Sequence, residues 1–490
     1  MSFIKQNLVR GKRSLQTTPQ IRDFVLYLTG SLVVALVAVI RLPVFTSHFT
    51  PADFGIFSLV SITYTYLSMV LFNWLSSCIY RFYNEYRENG KQAELYSNIM
   101  FLFLAASLVL LLVSVTWFFL AMSREVRHLV IPAFCFLFTN QVFGMFLVMY
   151  KLQGKALNYN LYQVVQSVFS FLLVLVLIFN LDQHIEAIFT GQVLVTGMLL
   201  IVMILNNRKT VRRISSVWIS WTMIRKLIHY GSVGFISAAG IFILISSDRY
   251  IIALFEDLSH VGIYNQIYQI GQVSVYFLVT VFFNAITPGF NKLLTGLVKE
   301  REKSLVEYIK VFLILLMPVT FYVSLFDRQV AEFLLGPEFR QGYTMIPWIV
   351  SGSFIYGLTL FNETKMKFEQ KFKPVVRGVV AACILNVGLN FLLIPRLGYT
   401  AAAVTTFVAY LFLFLYYYVK DDFQFLKDSP LVRIILVSAS VLAIQGLADL
   451  LIRRIMGFDL NKWLTLTEAI VFLGIYAGIM IRLKLFRISR

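Results

Sequence analysis

Six side chains in this sequence combine charge or polarity with positions inside, or at the ends of, long apolar runs: Arg41, Asp248, Arg249, Arg377, Asn386 and Asn390. A charge in hydrocarbon is costly, so intramembrane charges are candidates for function by default. Arginine suits anion binding, because its planar fork matches carboxylate and phosphate and stays charged. Arg41 lies 14 residues before Gly55 in Phe54-Gly55-Ile56-Phe57, and Arg249 lies 13 before Gly262 in Val261-Gly262-Ile263-Tyr264. Two copies of one span-turn-span unit imply a chain of two related halves, which would let both arginines face one cavity. Two alternatives stand beside that reading. Both arginines lie toward the ends of their spans, where a long side chain can snorkel to the headgroups. Arg249 also has Asp248, or an acid on another helix, as an ion-pair partner.

The elements that must position these residues are membrane spans. Of 490 residues, 59% are hydrophobic and 14% charged, and the mean hydropathy is +0.77. The apolar residues come in runs of twenty or more, each long enough to cross a bilayer. Fourteen spans are expected near 24–45, 56–80, 95–121, 128–150, 158–181, 184–206, 230–254, 261–286, 304–326, 345–362, 374–395, 400–419, 430–450 and 463–481. The first 23 residues are polar and basic, and the run after them has no small-residue cleavage site, so it reads as a retained span.

Charge sets the orientation. With the N-terminus cytoplasmic, the cytoplasmic segments hold 30 Lys and Arg and the opposite loops 8. That bias places both termini in the cytoplasm. It also explains the net charge of +18 without nucleic acid, as basic loops against an anionic leaflet. The connection 207–229 interleaves six basic residues with Trp218 and Trp221, as an amphipathic segment on the inner surface would. It separates an N-lobe, 24–206, from a C-lobe, 230–419, leaving 1–23 as a cytoplasmic segment and 420–490 as two added spans with a basic tail. A further echo supports the halves: Lys151 to Lys155 follows span four as Lys367 to Lys371 follows span ten. Cys78, Cys135 and Cys383 all fall in apolar runs and read as packing residues, with no disulfide or metal framework.

Three stretches together resemble the polysaccharide biosynthesis protein family, the Wzx-type flippases of the multidrug/oligosaccharidyl-lipid/polysaccharide (MOP) exporter superfamily. They are Phe49-Thr50-Pro51-Ala52-Asp53-Phe54-Gly55-Ile56-Phe57-Ser58-Leu59, the stretch from Asp248-Arg249 to Gly262-Ile263-Tyr264, and Leu389 to Pro395 running on through Gly398 into Ala401-Ala402-Ala403 and Thr405-Thr406. The resemblance covers essentially the whole chain. It implies an all-α, MATE-like membrane bundle of about 14 helices, with two pseudo-symmetric six-helix lobes and two C-terminal helices. It further implies a bacterial inner-membrane protein that moves undecaprenyl-diphosphate-linked oligosaccharide units by alternating access, for O-antigen, lipopolysaccharide, capsule or exopolysaccharide. Its partners would be the lipid-linked substrate, membrane lipids, and a polysaccharide polymerase and chain-length regulator. A functional monomer is the simplest expectation, and no cofactor is expected; a coupling ion, H+ or Na+, is left open.

On that reading the diphosphate meets Arg41 and Arg249, with Asp248 beside them. Arg377, one turn into its span after Pro374, is a further candidate, although snorkelling to the cytoplasmic surface explains it more simply, as it does Lys310. Asn386 and Asn390, four apart on one helix face, would line a sugar path or hydrogen-bond between helices.

Two other classes of function fit the residues less well. An ion-coupled drug or metabolite exporter of the same superfamily typically needs carboxylates deep in its spans, whereas Asp248, Glu186 and Glu363 lie near span ends. A membrane glycan polymerase or ligase would carry catalytic residues on a sizeable outer loop. The longest here, Asp327 to Thr344, holds no acid/base constellation, and His48, His128, His184, His229 and His260 are scattered. The chain is therefore not expected to be an enzyme.

Overall fold

The structure, a computed structural model, describes residues 19–120, 123–214, 219–294, 298–421, 429–456, 462–483 and 485. Its elements are helices in this order: α1 (Pro19–Thr46), α2 (Pro51–Ser68) running through a π-turn (Met69–Asn73) into α3 (Trp74–Glu88), α4 (Gln92–Leu120), α5 (Arg124–Leu152), α6 (Ala156–Leu181), α7 (Ala187–Asn206) and the short α8 (Arg208–Ile214). Then come α9 (Trp221–Phe255), α10 (Leu258–Gly271) running through a second π-turn (Gln272–Tyr276) into α11 (Phe277–Leu294), α12 (Val298–Leu325), α13 (Asp327–Leu334) and a 3-10 segment (Pro337–Met345). The order closes with α14 (Ile346–Phe368), α15 (Phe372–Leu397), α16 (Ala401–Lys420), α17 (Ser429–Met456) and α18 (Lys462–Arg482). Among the described residues none is in a strand.

This is an all-α, multi-pass membrane protein, as the hydropathy pattern implies. A bilayer offers no water to unpaired backbone groups, so an apolar chain of this kind resolves into helices. Thirteen helices are long and apolar enough to cross a membrane, judged over the described residues. The remaining expected span, 230–254, falls within α9, where the side chains of 232–238 lie outside those described.

The connection expected as an inner-surface segment is partly continuous helix. Trp221, Arg225 and Lys226 form the first turns of α9, in which Met223, Ile224 and Leu227 are buried while Trp221 and Arg225 face outward. Nothing between Trp221 and Tyr230 breaks the helix, so it propagates into the span. Trp218 lies outside the described residues.

Both motif helices begin on a cap. The Thr50 hydroxyl accepts from the Asp53 amide while the Asp53 carboxylate accepts from the Thr50 amide, and Pro51 supplies the fixed φ of the first turn. Asp257 caps α10 through the His260 amide at 2.9 Å. Each of these helices then carries a five-residue π-turn, a feature that inserts a local bend and is common at functional sites.

Residue contacts group the chain into two compact units. The first comprises the described parts of Met1–Ala38, Leu71–Leu120 and Val130–Gly231. Its core joins α5, α6 and α7 through Phe143, Met149, Tyr150, Tyr162, Leu200 and Met203. The Tyr150 and Tyr162 rings stack 5.6 Å apart, and their hydroxyls accept from Asn207 at 2.7 Å and Asn206 at 3.1 Å. The second unit comprises the described parts of Val39–Val70, Ala121–Leu129 and Ser232–Arg490. Its core lies where α9, α14, α15 and α16 meet, around Leu244, Tyr356, Val379, Ala382, Ala409, Tyr410 and Tyr417. Small residues let the helices approach, as Gly240 does by receiving the Cys383 thiol on its carbonyl at 2.8 Å. All three cysteines are free. The C-terminal pair docks on α12 through polar groups: Tyr322 donates to Gln445, Gln445 donates to the Phe472 carbonyl at 2.9 Å, and Ser438 meets Tyr476 at 3.0 Å.

Candidate functional site

Asp248 and Arg249 follow one another on α9 and are both buried, 0% and 3% exposed. The Arg249 guanidinium binds the Asp248 carboxylate at 2.7 Å and donates to the Ile245 carbonyl one turn back. Two tyrosines from α10, four residues apart and so on one face, complete the enclosure. Tyr264 lies 4.9 Å and Tyr268 4.1 Å from the guanidinium carbon, ring faces toward the cation. Tyr264 also donates its hydroxyl to the other Asp248 oxygen. The Arg249 Nε has no hydrogen-bond partner, its environment being ring faces. Of the roles open to Arg249 in the sequence, the structure places it as the partner of Asp248, in a closed aromatic cage that ties α9 to α10.

The neighbouring residue Ser247 belongs to a second polar network. It donates to the Asn386 oxygen at 3.4 Å; Asn386 donates to Thr406 at 3.4 Å and receives from Asn390 at 3.2 Å, and Thr405 donates to Asn390. Both asparagines are fully buried. This ladder joins α9, α15 and α16 by interhelical hydrogen bonds, the usual employment of amides in membrane helices. Thus Asp248, Arg249, Asn386 and Asn390 belong to two adjoining networks that share α9. Arg41 is half-buried on α1, and Arg377 is exposed, nine residues before Asn386 on α15.

The two motif glycines meet. A Cβ on Gly55 of α2 would lie 1.9 Å from the Leu258 carbonyl oxygen, and one on Gly262 of α10 would lie 1.9 Å from that of Pro51. No side chain fits either gap, so the helices cross backbone to backbone. The same end is closed further by Gly336, whose amide donates to the Thr46 hydroxyl at 2.8 Å, and by Phe54 edge-on to Phe339 at 5.6 Å.

Sequence reasoning missed a buried ionic cluster at the junction of α14 and α16. Lys365 binds Asp421 and lies 3.6 Å from Glu369; Asn362 donates to Asp421 at 2.8 Å; Glu363 pairs with Lys367. Asn362, Glu363, Lys365 and Asp421 are each at most 3% exposed. The only signal was the i, i+3 and i, i+4 spacing from Asn362 to Glu369; the acid that completes it is 56 residues away. Among the described residues no group of three or more His, Cys, Asp or Glu could hold a metal ion. An apolar cavity of about 240 Å³, between α12, α13 and α18, is lined by Tyr322, Phe326, Val330, Phe333 and Ala469 among others. It carries no charged side chain and does not serve an ionic head.

The fold recurs in solved structures. A lipid II flippase MurJ in an inward closed conformation superposes with a TM-score of 0.67 at 13% identity, over 95% of this chain and 100% of that one. An inward-facing multidrug resistance MATE family transporter of the MOP superfamily gives 0.55 at 15% identity, over 81% and 96%. The Vibrio cholerae MATE transporter VcmN in its bent form gives 0.52 at 12% identity, over 82% and 97%. At such identities the likeness establishes a shared fold. No curated protein sequence matches the chain. The model of the polysaccharide biosynthesis protein family matches residues 21–294, more than half of the sequence and inclusive of both arginine–glycine units. The chain belongs to the polysaccharide biosynthesis protein family.

Proposed function

We propose that this protein is a flippase, not an enzyme, that carries undecaprenyl-diphosphate-linked oligosaccharide units from the cytoplasmic to the outer leaflet of a bacterial inner membrane. The product would feed a surface polysaccharide such as O-antigen, capsule or exopolysaccharide. The observation that carries this reading is the family match over 21–294, because that stretch holds both copies of the arginine–glycine unit. The MOP-type fold supports it, and the excess of Lys and Arg in alternate loops supports cytoplasmic termini.

On this orientation Gly55 and Gly262 lie toward the outer surface. Their backbone crossing then closes the outer side between the two repeated helices, and the π-turns below them supply the bends on which those helices swing. Arg41 is the cation assigned to the diphosphate. Arg249, caged by Tyr264 and Tyr268, reaches the head only when α10 moves off α9. The Asn386–Asn390 ladder keeps α9, α15 and α16 moving together, and Arg377 meets anionic headgroups at the inner surface.

Deleting the gene tests this directly. The expected result is loss of a surface polymer with its lipid-linked unit accumulating on the cytoplasmic side. Accumulation on the outer side would point to a polymerase or ligase. Unchanged glycans with new drug sensitivity would point to the exporter.

A further inference from the structure

The inner end of the first unit holds an arrangement that neither its packing nor the arginine–glycine units explain. Tyr27 on α1, Tyr80 on α3 and Tyr159 at the start of α6 come together there. The Tyr27 and Tyr159 rings meet edge-on at 5.3 Å, and the Lys151 ammonium lies 6.0 Å from the centres of both Tyr27 and Tyr80. Tyr80 is 44% exposed and Lys151 is exposed, so the assembly is open on one side. It is also rigid. Tyr159 packs on the Tyr150–Tyr162 core and receives a hydrogen bond from Gln163.

The polar atoms behind these rings set the arrangement apart from an interfacial aromatic belt, whose polar tips are met by headgroups and water. Asn160, 6% exposed, has neither its oxygen nor its nitrogen hydrogen-bonded, and the Gln163 oxygen, one turn deeper, is also buried without a donor. Asn160 points at Gly30, one turn along α1 from Tyr27: a Cβ there would lie 2.3 Å from the Asn160 oxygen. Buried polar groups left unmade are expensive, more so within a membrane. Once Asn160 turns off Gly30, three acceptor or donor positions stand behind a tyrosine shelf with a cation at its rim, an arrangement that matches one chemistry. A pyranose ring lays its C–H face on an aromatic ring and offers hydroxyls to amide groups, and a phosphate beside it meets the ammonium.

We propose that Tyr27, Tyr80 and Tyr159, with Lys151, Asn160 and Gln163, form an inner docking station for the first sugar and diphosphate of a polyprenyl-linked glycan. This rests on the flippase reading and adds to it a first binding step in the N-terminal half, before the head reaches Arg41.

The test uses the full-length protein in nanodiscs that contain phosphatidylglycerol, so that an ordinary anionic headgroup competes throughout. Two probes are titrated: undecaprenyl diphosphate, and undecaprenyl diphosphate bearing one hexosamine. The wild type is expected to bind both, the sugar-bearing lipid more tightly. Lys151→Ala weakens both by about tenfold, the loss of one charge-assisted contact. Tyr80→Leu weakens only the sugar-bearing lipid. Lys151→Arg and Tyr80→Trp, which keep charge and ring, restore binding and separate a lost contact from a misfolded variant. Wild-type affinity in Lys151→Ala and Tyr80→Leu would overturn the docking station and leave the flippase reading intact. Equal weakening of both probes by Tyr80→Leu would overturn the sugar contact. No binding of either probe by the wild type would overturn both.

Discussion

A methyl group on Gly262 would come within 2.9 Å of the Gly55 amide nitrogen, so these two glycines, one from each repeated unit, hold α2 and α10 in backbone contact. Alanine at either site must push the helices apart, since the opposing atoms are backbone carbonyls that cannot rotate away. Gly55→Ala and Gly262→Ala should each destabilise this closed arrangement by about 1–3 kcal/mol, the cost of overpacking. A cysteine pair placed across the crossing should therefore crosslink more slowly in either variant than in the parent. Equal crosslinking would mean that the contact is looser than the structure indicates.

Asp248 and Arg249 make a different prediction. Asp248→Asn leaves a buried guanidinium with ring faces but no counter-charge, which should cost about 3–5 kcal/mol. Replacing both, Asp248→Asn with Arg249→Leu, removes the orphaned charge and should restore most of that loss. The double-mutant cycle is read from thermal unfolding in detergent. Should transport stay lost in the double variant while stability returns, Arg249 has a role beyond bracing α9 against α10.

Lys365 and Asp421 should behave in the same manner at the end of α14. Lys365→Ala strands a carboxylate that is 2% exposed, and a loss of about 3–5 kcal/mol is expected, seen as low protein abundance in the membrane. Arg377→Ala, at an exposed position, should change stability by no more than about 0.5 kcal/mol. Membrane levels of the two variants, measured side by side, check the contrast.

Much of this was legible in the sequence. Run length gives the spans, because it follows from a local physical rule, and the motif spacings mark the two stretches whose glycines meet. The pairing of Arg249 with Asp248 stood among the alternatives, but choosing it needed the Tyr264 and Tyr268 ring faces, which only the packing of α10 on α9 supplies. The π-turns at Met69–Asn73 and Gln272–Tyr276 have no residue signature, so nothing marked them in advance. In the sequence Lys365 reads as one more basic loop residue, since its partner Asp421 lies 56 residues away, at the end of α16. The unpaired Asn160 became visible only once Gly30 was placed against it.

Arg41 distinguishes transport from architecture. Arg41→Ala should cut glycan transport at least about tenfold, the scale of one lost arginine–phosphate contact, with protein level near normal. Arg41→Lys should recover only part, because a point charge does not reproduce the fork. Pulse-labelled surface polymer, normalised to protein in the membrane, checks both.

The most direct measurement is made on purified protein in sealed vesicles loaded with an undecaprenyl-diphosphate-linked oligosaccharide. A membrane-impermeant glycan-modifying enzyme reports the fraction exposed on the far side over time. The flippase reading predicts that exposed glycan rises with time in protein-containing vesicles and stays flat in empty ones. Identical, flat traces in both, from vesicles whose protein binds the same lipid, would contradict it.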